Sequence, residues 1–416
     1  MTSAPRVIGA SLRSAHPVSC DMLTAREVLF ALLFSLPWLV LPIVAVRRQR
    51  RSVSLDDYDP NPTIPQPERV SIVLPARNEA THIAACLQSL RATTWPNVEI
   101  VVVNDHSDDA TGTLARTGAE GDARVTVIDA PDLPPGWFGK QWACHAGVQH
   151  TTGSLLLFTD ADTRHAPDLV ARLVHARTSR NAALMSVAGT QEMLSFWERA
   201  IQPAVFTILL ARFGGTLEIE NAKRSADVIA NGQCFIMTRA AYETVGGHAA
   251  VKDTVAEDLM MAQRTHEAGL RVSLVIGTKQ LSTRMYDGFR SIVRGWMKNI
   301  YAGGRMAMRG GIIGRLLYPF ALVGGPLTII LPILVALALF TMALGNIHAP
   351  NVLVAWCAIS SVALLWFFAA ISAFARIPSW RVVFVPLGML IFAAIGVAAV
   401  VRGQTVEWKG RVYRSS

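Results

Sequence analysis

The residues with the most chemistry in them are two carboxylates, Asp160 and Asp162, placed where the apolar run Leu155-Leu156-Leu157-Phe158 gives out. A pair at that spacing suits a hard divalent cation, Mg2+ or Mn2+, that keeps some waters and takes diphosphate oxygens as its other ligands. The plainer alternative is a surface turn in which Asp162 caps a helix that Pro167 helps to start. A second acidic pair, Glu257 and Asp258, opens a stretch with apolar positions at helical spacing. Such a pair steadies the positive end of a helix dipole, and one member, if it shares a crevice with Asp160 and Asp162, can serve as a general base. Lys140 follows the proline- and glycine-rich loop Leu133 to Gly139, which delivers a cation to a helix start where a diphosphate can be met, or leaves a solvated lysine. Asp105, in the turn Asn104 to Asp109, can accept from a base N–H or from ribose hydroxyls, while Asp109 caps a helix near Thr111. In the basic stretch Arg290 to Asn299, Arg294, Trp296 and Lys298 are candidates for closing over a diphosphate and an acceptor; interfacial anchoring explains the same composition.

These residues need a scaffold that gathers them. Val70 to Pro75 reads as a buried strand ending in the turn Ala76-Arg77-Asn78-Glu79, and Ile83, Leu87 and Leu90 follow at helical spacing. Val98 to Val103, Arg124 to Ile128 and the Leu155 run are further strands, with helix 139–150 before the last. Strand, polar turn and helix in alternation make a nucleotide-binding α/β fold, whose ligand crevice lies at the carboxyl ends of the strands. The second half is less regular: a strand at 183–189, an aromatic helix at 194–213, either interfacial or core, and a strand at 231–237. With no Walker A and no G-x-G-x-x-G, a glycine loop does not hold the nucleotide.

Apolar residues make up 51% of the chain and collect at its two ends. Residues 28–46 carry no charge and are long enough to cross a bilayer; Arg47, Arg48, Arg50 and Arg51 follow and place that flank in the cytoplasm. Three more apolar stretches are expected, over about 326–345, 352–374 and 382–401, with Gly324-Gly325-Pro326 as a break after an interfacial piece. Three spans would put the tail outside, yet Arg402, Lys409, Arg411 and Arg414 favour the inside, so either one segment is re-entrant or the tail breaks the rule. The net charge of +9 needs no nucleic acid, because much of it lies beside apolar segments where anionic lipid headgroups are its partner. Cys20, Cys86, Cys144, Cys234 and Cys357 are scattered, with neither a disulfide framework nor a zinc spacing.

The order of the motifs is more specific than any one of them. Val-Ser-Ile-Val-Leu-Pro-Ala-Arg-Asn-Glu (70–79), Val-Asn-Asp-His-Ser-Asp-Asp (103–109), Thr-Asp-Ala-Asp (159–162) and Ala-Glu-Asp (256–258) together resemble a membrane-bound family 2 glycosyltransferase of the GT-A fold, a Rossmann-like α/β fold for nucleotide-diphospho-sugars. The loop Gly136 to Lys140, Phe196 to Arg199, Gly295 to Asn299 and the tail Trp408-Lys409-Gly410-Arg411-Val412-Tyr413 look like the bacterial branch of hopanoid-associated and carotenoid glycosyltransferases. The resemblance implies that Ala76, Arg77, Glu79 and Asp105, with Lys140, bind a nucleotide-sugar donor, a UDP-sugar. It implies that Asp160 helps place the sugar and ribose, that Asp162 with Asp160 holds Mg2+ or Mn2+, and that Asp258, beside Glu257, is the base. The domains expected on this basis are an N-terminal segment 1–27, an anchor 28–46, a linker 47–68, a cytoplasmic GT-A domain 69–305, an interfacial segment 306–325, about three spans over 326–402 and a basic tail 403–416.

The activity implied is inverting, metal-dependent transfer of one sugar onto a membrane lipid at the cytoplasmic face of the plasma membrane. A processive polysaccharide synthase and an inactive membrane scaffold are the alternatives. Processive relatives carry Gln/Arg-x-x-Arg-Trp on the late helix, whereas here Gly295 separates Arg294 from Trp296. Asn104 stands where a first Asp is frequent, which leaves Asp105 as the nucleotide ligand.

Overall fold

The computed structural model describes residues 23–62, 66–306, 308–374, 379–403, 405–408 and 411–414. The expected segment up to residue 22, and Lys409 and Gly410 of the tail motif, lie outside the described residues. Helix α1 (Ala25–Arg50) contains the expected anchor and overruns it at both ends. Thr24 and Glu27 form a reciprocal cap that starts the helix early, and the arginines of its last turn suit the negative end of the dipole.

The α/β domain begins with β1 (Val70–Ala76), α2 (Ile83–Arg91), β2 (Val98–Asn104), α3 (Thr111–Ala119), β3 (Val125–Asp129), α4 (Gly139–Gln149) and β4 (Leu155–Thr159). These strands run parallel in the order β3-β2-β1-β4. The Leu155 run is continuous because both faces of β4 are covered: Leu155 and Leu157 pack with Leu87 of α2, and Leu156 and Phe158 with Val148 of α4. After β4 come β5 (Thr163–His165), α5 (Leu169–Ser179), β6 (Leu184–Ala188), β7 (Thr190–Gln191), α6 (Phe196–Phe213) and α7 (Thr216–Glu220). The domain ends with β8 (Cys234–Thr238), α8 (Arg239–Thr244), α9 (Glu257–Glu267), β9 (Val272–Ile276), β10 (Leu281–Thr283) and α10 (Phe289–Met306). Strand β8 enters antiparallel between β4 and β6, and β9 lies outside β6, completing a seven-stranded mixed sheet. A small sheet, β5-β10-β7, closes over its end.

The last part holds α11 (Gly311–Ile329), α12 (Leu331–Leu344), α13 (Asn351–Phe374), α14 (Val385–Arg402) and the hairpin β11 (Thr405–Trp408) and β12 (Arg411–Arg414). Among the described residues four helices, α1, α11, α13 and α14 with the turn before it, are long and apolar enough to cross a membrane. Here the structure corrects the expected boundaries. The helix does not break at Gly324-Gly325-Pro326 but runs on to Ile329, and the break falls at Ile330. A proline in a helix forfeits one N–H bond, and in apolar surroundings the neighbouring backbone groups have no water to turn to, so the helix persists. The expected interfacial piece is therefore largely α11, and the expected span over 326–345 is split between the end of α11 and the short α12.

Helices α1 and α13 are joined by polar contacts suited to an apolar medium: Ser35 to Ser360 at 2.9 Å, and the Trp356 indole donating to the Phe34 carbonyl at 3.1 Å. Helix α14 instead packs on the α/β domain. Gly388 lies against the Ala200 carbonyl of α6, and Phe392 and Ile395 pack with Trp296 and Ile300 of α10. The hairpin that follows touches the domain too, through Arg411 and Tyr413. The hairpin thus lies beside the α/β domain.

Candidate active site

The sheet brings the ends of β1, β2 and β4 side by side. Ala76 pairs with Asn104, and the Asp105 amide donates to the Ala76 carbonyl at 2.8 Å, so the turns after β1 and β2 face each other. Asn78 and His106 take left-handed conformations, with φ of 52° and 50°, uncommon outside glycine and concentrated at functional turns. Arg77, expected at the nucleotide, lines the cleft and donates to the Asp105 and His106 carbonyls at 2.7 and 2.6 Å, which braces the β2 turn. Asn104 turns away to donate to Asp129 at 2.7 Å, tying β2 to β3 and leaving Asp105 on the cleft. Asp109 accepts from the Thr111 amide at 2.9 Å, but it is not the cap expected of it: the N-cap position belongs to Ala110, which makes no side-chain capping bond.

At the end of β4 the four charged candidates converge. Lys140 reaches Asp160 at 2.7 Å and Glu257 at 2.6 Å, so its ammonium joins the two acidic pairs rather than waiting in solvent. Burial alone would lower the Lys140 pKa, but the two carboxylates outweigh it and hold the group well above its ordinary value. Glu257, which burial would raise, is kept below its usual range by that lysine. Asp258 forms no ion pair among the described residues: its Oδ2 accepts from the Gly232 amide at 2.6 Å and its Oδ1 from the Leu259 amide at 2.8 Å. Burial and the charge of Glu257 push Asp258 up to about 6. The two members of the pair are therefore separated in function by their neighbours, one locked in an ion pair and one left basic near neutral pH.

Asp162 does not cap a helix; it is followed directly by β5. Its Oδ1 is buried with no hydrogen-bond partner, and burial, then the charges of Asp160 and Glu79, raise it to about 7. An orphaned buried carboxylate oxygen beside a second carboxylate is a donor set that suits a cation. Among the described residues no group of three or more His, Cys, Asp or Glu side chains could hold a metal alone. The pair therefore fits an ion that takes its other ligands from waters or a diphosphate.

Arg294 is exposed on the rim of the cleft and forms no ion pair among the described residues. Trp296 differs from the expectation that it closes over a diphosphate. It is only 7% exposed, its indole donates to Gln202 of α6 at 3.1 Å, and it belongs to the apolar wall. Lys298 also lines the cleft, its pKa brought down to about 8 by burial against the pull of Glu257. Sequence reasoning passed over the Gly232 amide, which holds the basic aspartate and leaves no side-chain signal, and Arg411, which reaches Asp105.

Ala76, Arg77, Glu79, Asp105, Lys140, Asp160, Asp162, Glu257, Asp258, Arg294, Trp296 and Lys298 all line one cavity of about 1370 Å3. It runs from Ala76, Asp105 and Asp162 past Asp258 and Trp296 to Leu322, Ile329 and Phe392 of the apolar helices.

The model of glycosyl transferase family 2 matches residues 71–246. The 4,4'-diaponeurosporenoate glycosyltransferase of Staphylococcus haemolyticus is 27% identical over 242 residues, 57% of this chain and 62% of that protein. Its namesake in Staphylococcus aureus strain USA300 is 29% identical over 241 residues, 56% of this chain and 61% of that protein. The match thus spans about three fifths of the length of these relatives. A mannosyltransferase of Pyrobaculum calidifontis, solved in complex with GDP-Man and Mn2+, superposes with a TM-score of 0.50 at 19% identity, covering 90% of this chain and 98% of that one. The matched residues 71–246 thus carry a glycosyl transferase family 2 domain, on a GT-A fold.

Proposed function

We propose that the protein transfers a single sugar from a nucleotide-sugar, a UDP-sugar, to a membrane lipid, with inversion at the anomeric carbon. The observation that carries this reading is the continuity of the cavity: carboxylates and cations at the strand ends, then apolar walls from α6, α10, α11 and α14. A donor rich in phosphate suits the first part, and an acceptor with a long apolar body suits the second. The staphylococcal relatives, named for a carotenoid acid, agree with such an acceptor.

Asp105, with Ala76 and Glu79, would take the base and ribose. Asp160 and Asp162 would hold Mg2+ or Mn2+. When bound, that ion would offset the charge that builds on the departing nucleoside diphosphate. Arg294 and Lys298 add positive charge from α10, and Lys140 holds Asp160 and Glu257 in place. The acceptor hydroxyl attacks from the face opposite the leaving group, and Asp258 takes its proton, held in position by the Gly232 and Leu259 amides. The arginines ending α1 support a catalytic domain at the cytoplasmic face of the plasma membrane, beside anionic headgroups.

The test is mass spectrometry of total lipids from a host making the wild type, beside one making Asp258→Asn. A lipid heavier by one sugar in the wild type alone is the expected result. A polymer in the medium, or no difference, would refute single transfer to lipid.

A further inference from the structure

The C-terminal motif is not used by the reaction as described, yet its hairpin crosses to the nucleotide end of the cleft. Arg411 Nη1 lies 2.8 and 3.1 Å from the two oxygens of Asp105, a residue 306 positions earlier and only 1% exposed. Tyr413 sits on Phe138, ring centroids 4.3 Å apart, and its hydroxyl accepts from the Gly139 amide at 3.3 Å. One short strand therefore spans both banks of the cleft, the turn after β2 and the loop that delivers Lys140.

We propose that this hairpin is the outer wall of the nucleotide subsite, with Arg411 as a positioning residue for Asp105 and Tyr413 as a lining residue. The inference rests on the donor reading above. A carboxylate this deeply buried is costly without a countercharge, and the long-range guanidinium supplies it while fixing the plane of the carboxyl group. An ionised carboxylate offers about four acceptor positions. Arg411 and the His106 ring at 3.3 Å leave acceptor capacity on Asp105 for a base N–H or a ribose hydroxyl. Placement separates a wall from a plug. Asp105, Phe138 and Tyr413 line the cavity, whereas Arg411 is not among its lining residues, so the nucleotide's space stays open. An inhibitory plug would put the guanidinium inside it.

The test compares full-length wild type with Arg411→Ala, Arg411→Lys and Tyr413→Ala. Calorimetry with UDP and with GDP, each with Mn2+, is read beside donor KM, acceptor KM and kcat. We expect Arg411→Ala and Tyr413→Ala to raise the nucleotide Kd and donor KM by about tenfold or more with kcat and acceptor KM little changed, the pattern of lost ground-state binding. Arg411→Lys should recover part of the loss. Unchanged donor KM in both alanine variants overturns the proposal, as does tighter nucleotide binding, which would make the hairpin a plug. A general fall in kcat and thermal stability, not rescued by lysine, would show a merely structural tail and overturn it too. Failure of the wild type to bind either nucleotide would instead sink the donor reading itself.

Discussion

At the strand ends the cleft is walled by carboxylates, of which Asp160 is held by Lys140 and Asp258 by the Gly232 amide at hydrogen-bond distance. At its other end the same cavity is walled by Leu322, Ile329 and Phe392, held only by packing. Polar positioning is directional, so a small displacement of one atom removes a function. Apolar walls are tolerant of shape and intolerant of lost volume or overlap. The two ends should therefore fail differently, and the following changes test that contrast.

The largest effect is expected for Asp258→Asn at the polar end. Turnover should fall by about 10²- to 10⁴-fold, the usual range for a lost general base, while UDP and Mn2+ binding stays near wild type. Near-normal turnover would move the base elsewhere. At the apolar end, a methyl on Gly388 would overlap the Ala200 carbonyl of α6. Gly388→Ala should lower stability by about 1–3 kcal/mol through overpacking, read as a fall in Tm, with nucleotide affinity retained. A loss of nucleotide binding there would show the two ends to be one cooperative unit.

A third change is in pH. The base works deprotonated, and burial beside Glu257 raises Asp258 to about 6, so the fraction of competent enzyme falls as pH drops through that value. Below it, kcat should decline about tenfold per pH unit, and a profile flat down to pH 4 would rule out a raised base. The smallest effect is expected for Gly232→Ala. Its methyl would stand 2.8 Å from Asp258 Oδ2, pushing the carboxylate aside without removing it. A several-fold drop in kcat with unchanged Tm would separate misplacement of the base from its loss.

Much of the polar end was readable along the chain. Asp160 and Asp162 sit where an apolar run stops, Glu257 and Asp258 where a helical pattern starts, and in a parallel sheet those points gather in one crevice. Arg77 and Trp296 both line the cleft, as their positions in the chain suggested, but their hydrogen bonds were not readable there: one braces the turn after β2 and the other joins α10 to α6. Residue type and position tell which element carries a side chain, not which way a long side chain turns once neighbouring elements pack.

By itself the sequence determined the alternation of strands and helices, the carboxylates at their ends and the apolar stretches at both termini. Period and local charge set each of these over a few residues. Tertiary structure alone decided that Lys140 bridges Asp160 and Glu257, that α11 runs through Pro326, that α14 lies on the α/β domain, and that Arg411 reaches Asp105. Those contacts join segments far apart in the chain, or replace a local preference for ending a helix. They form only when burial leaves charges and backbone groups no water to turn to.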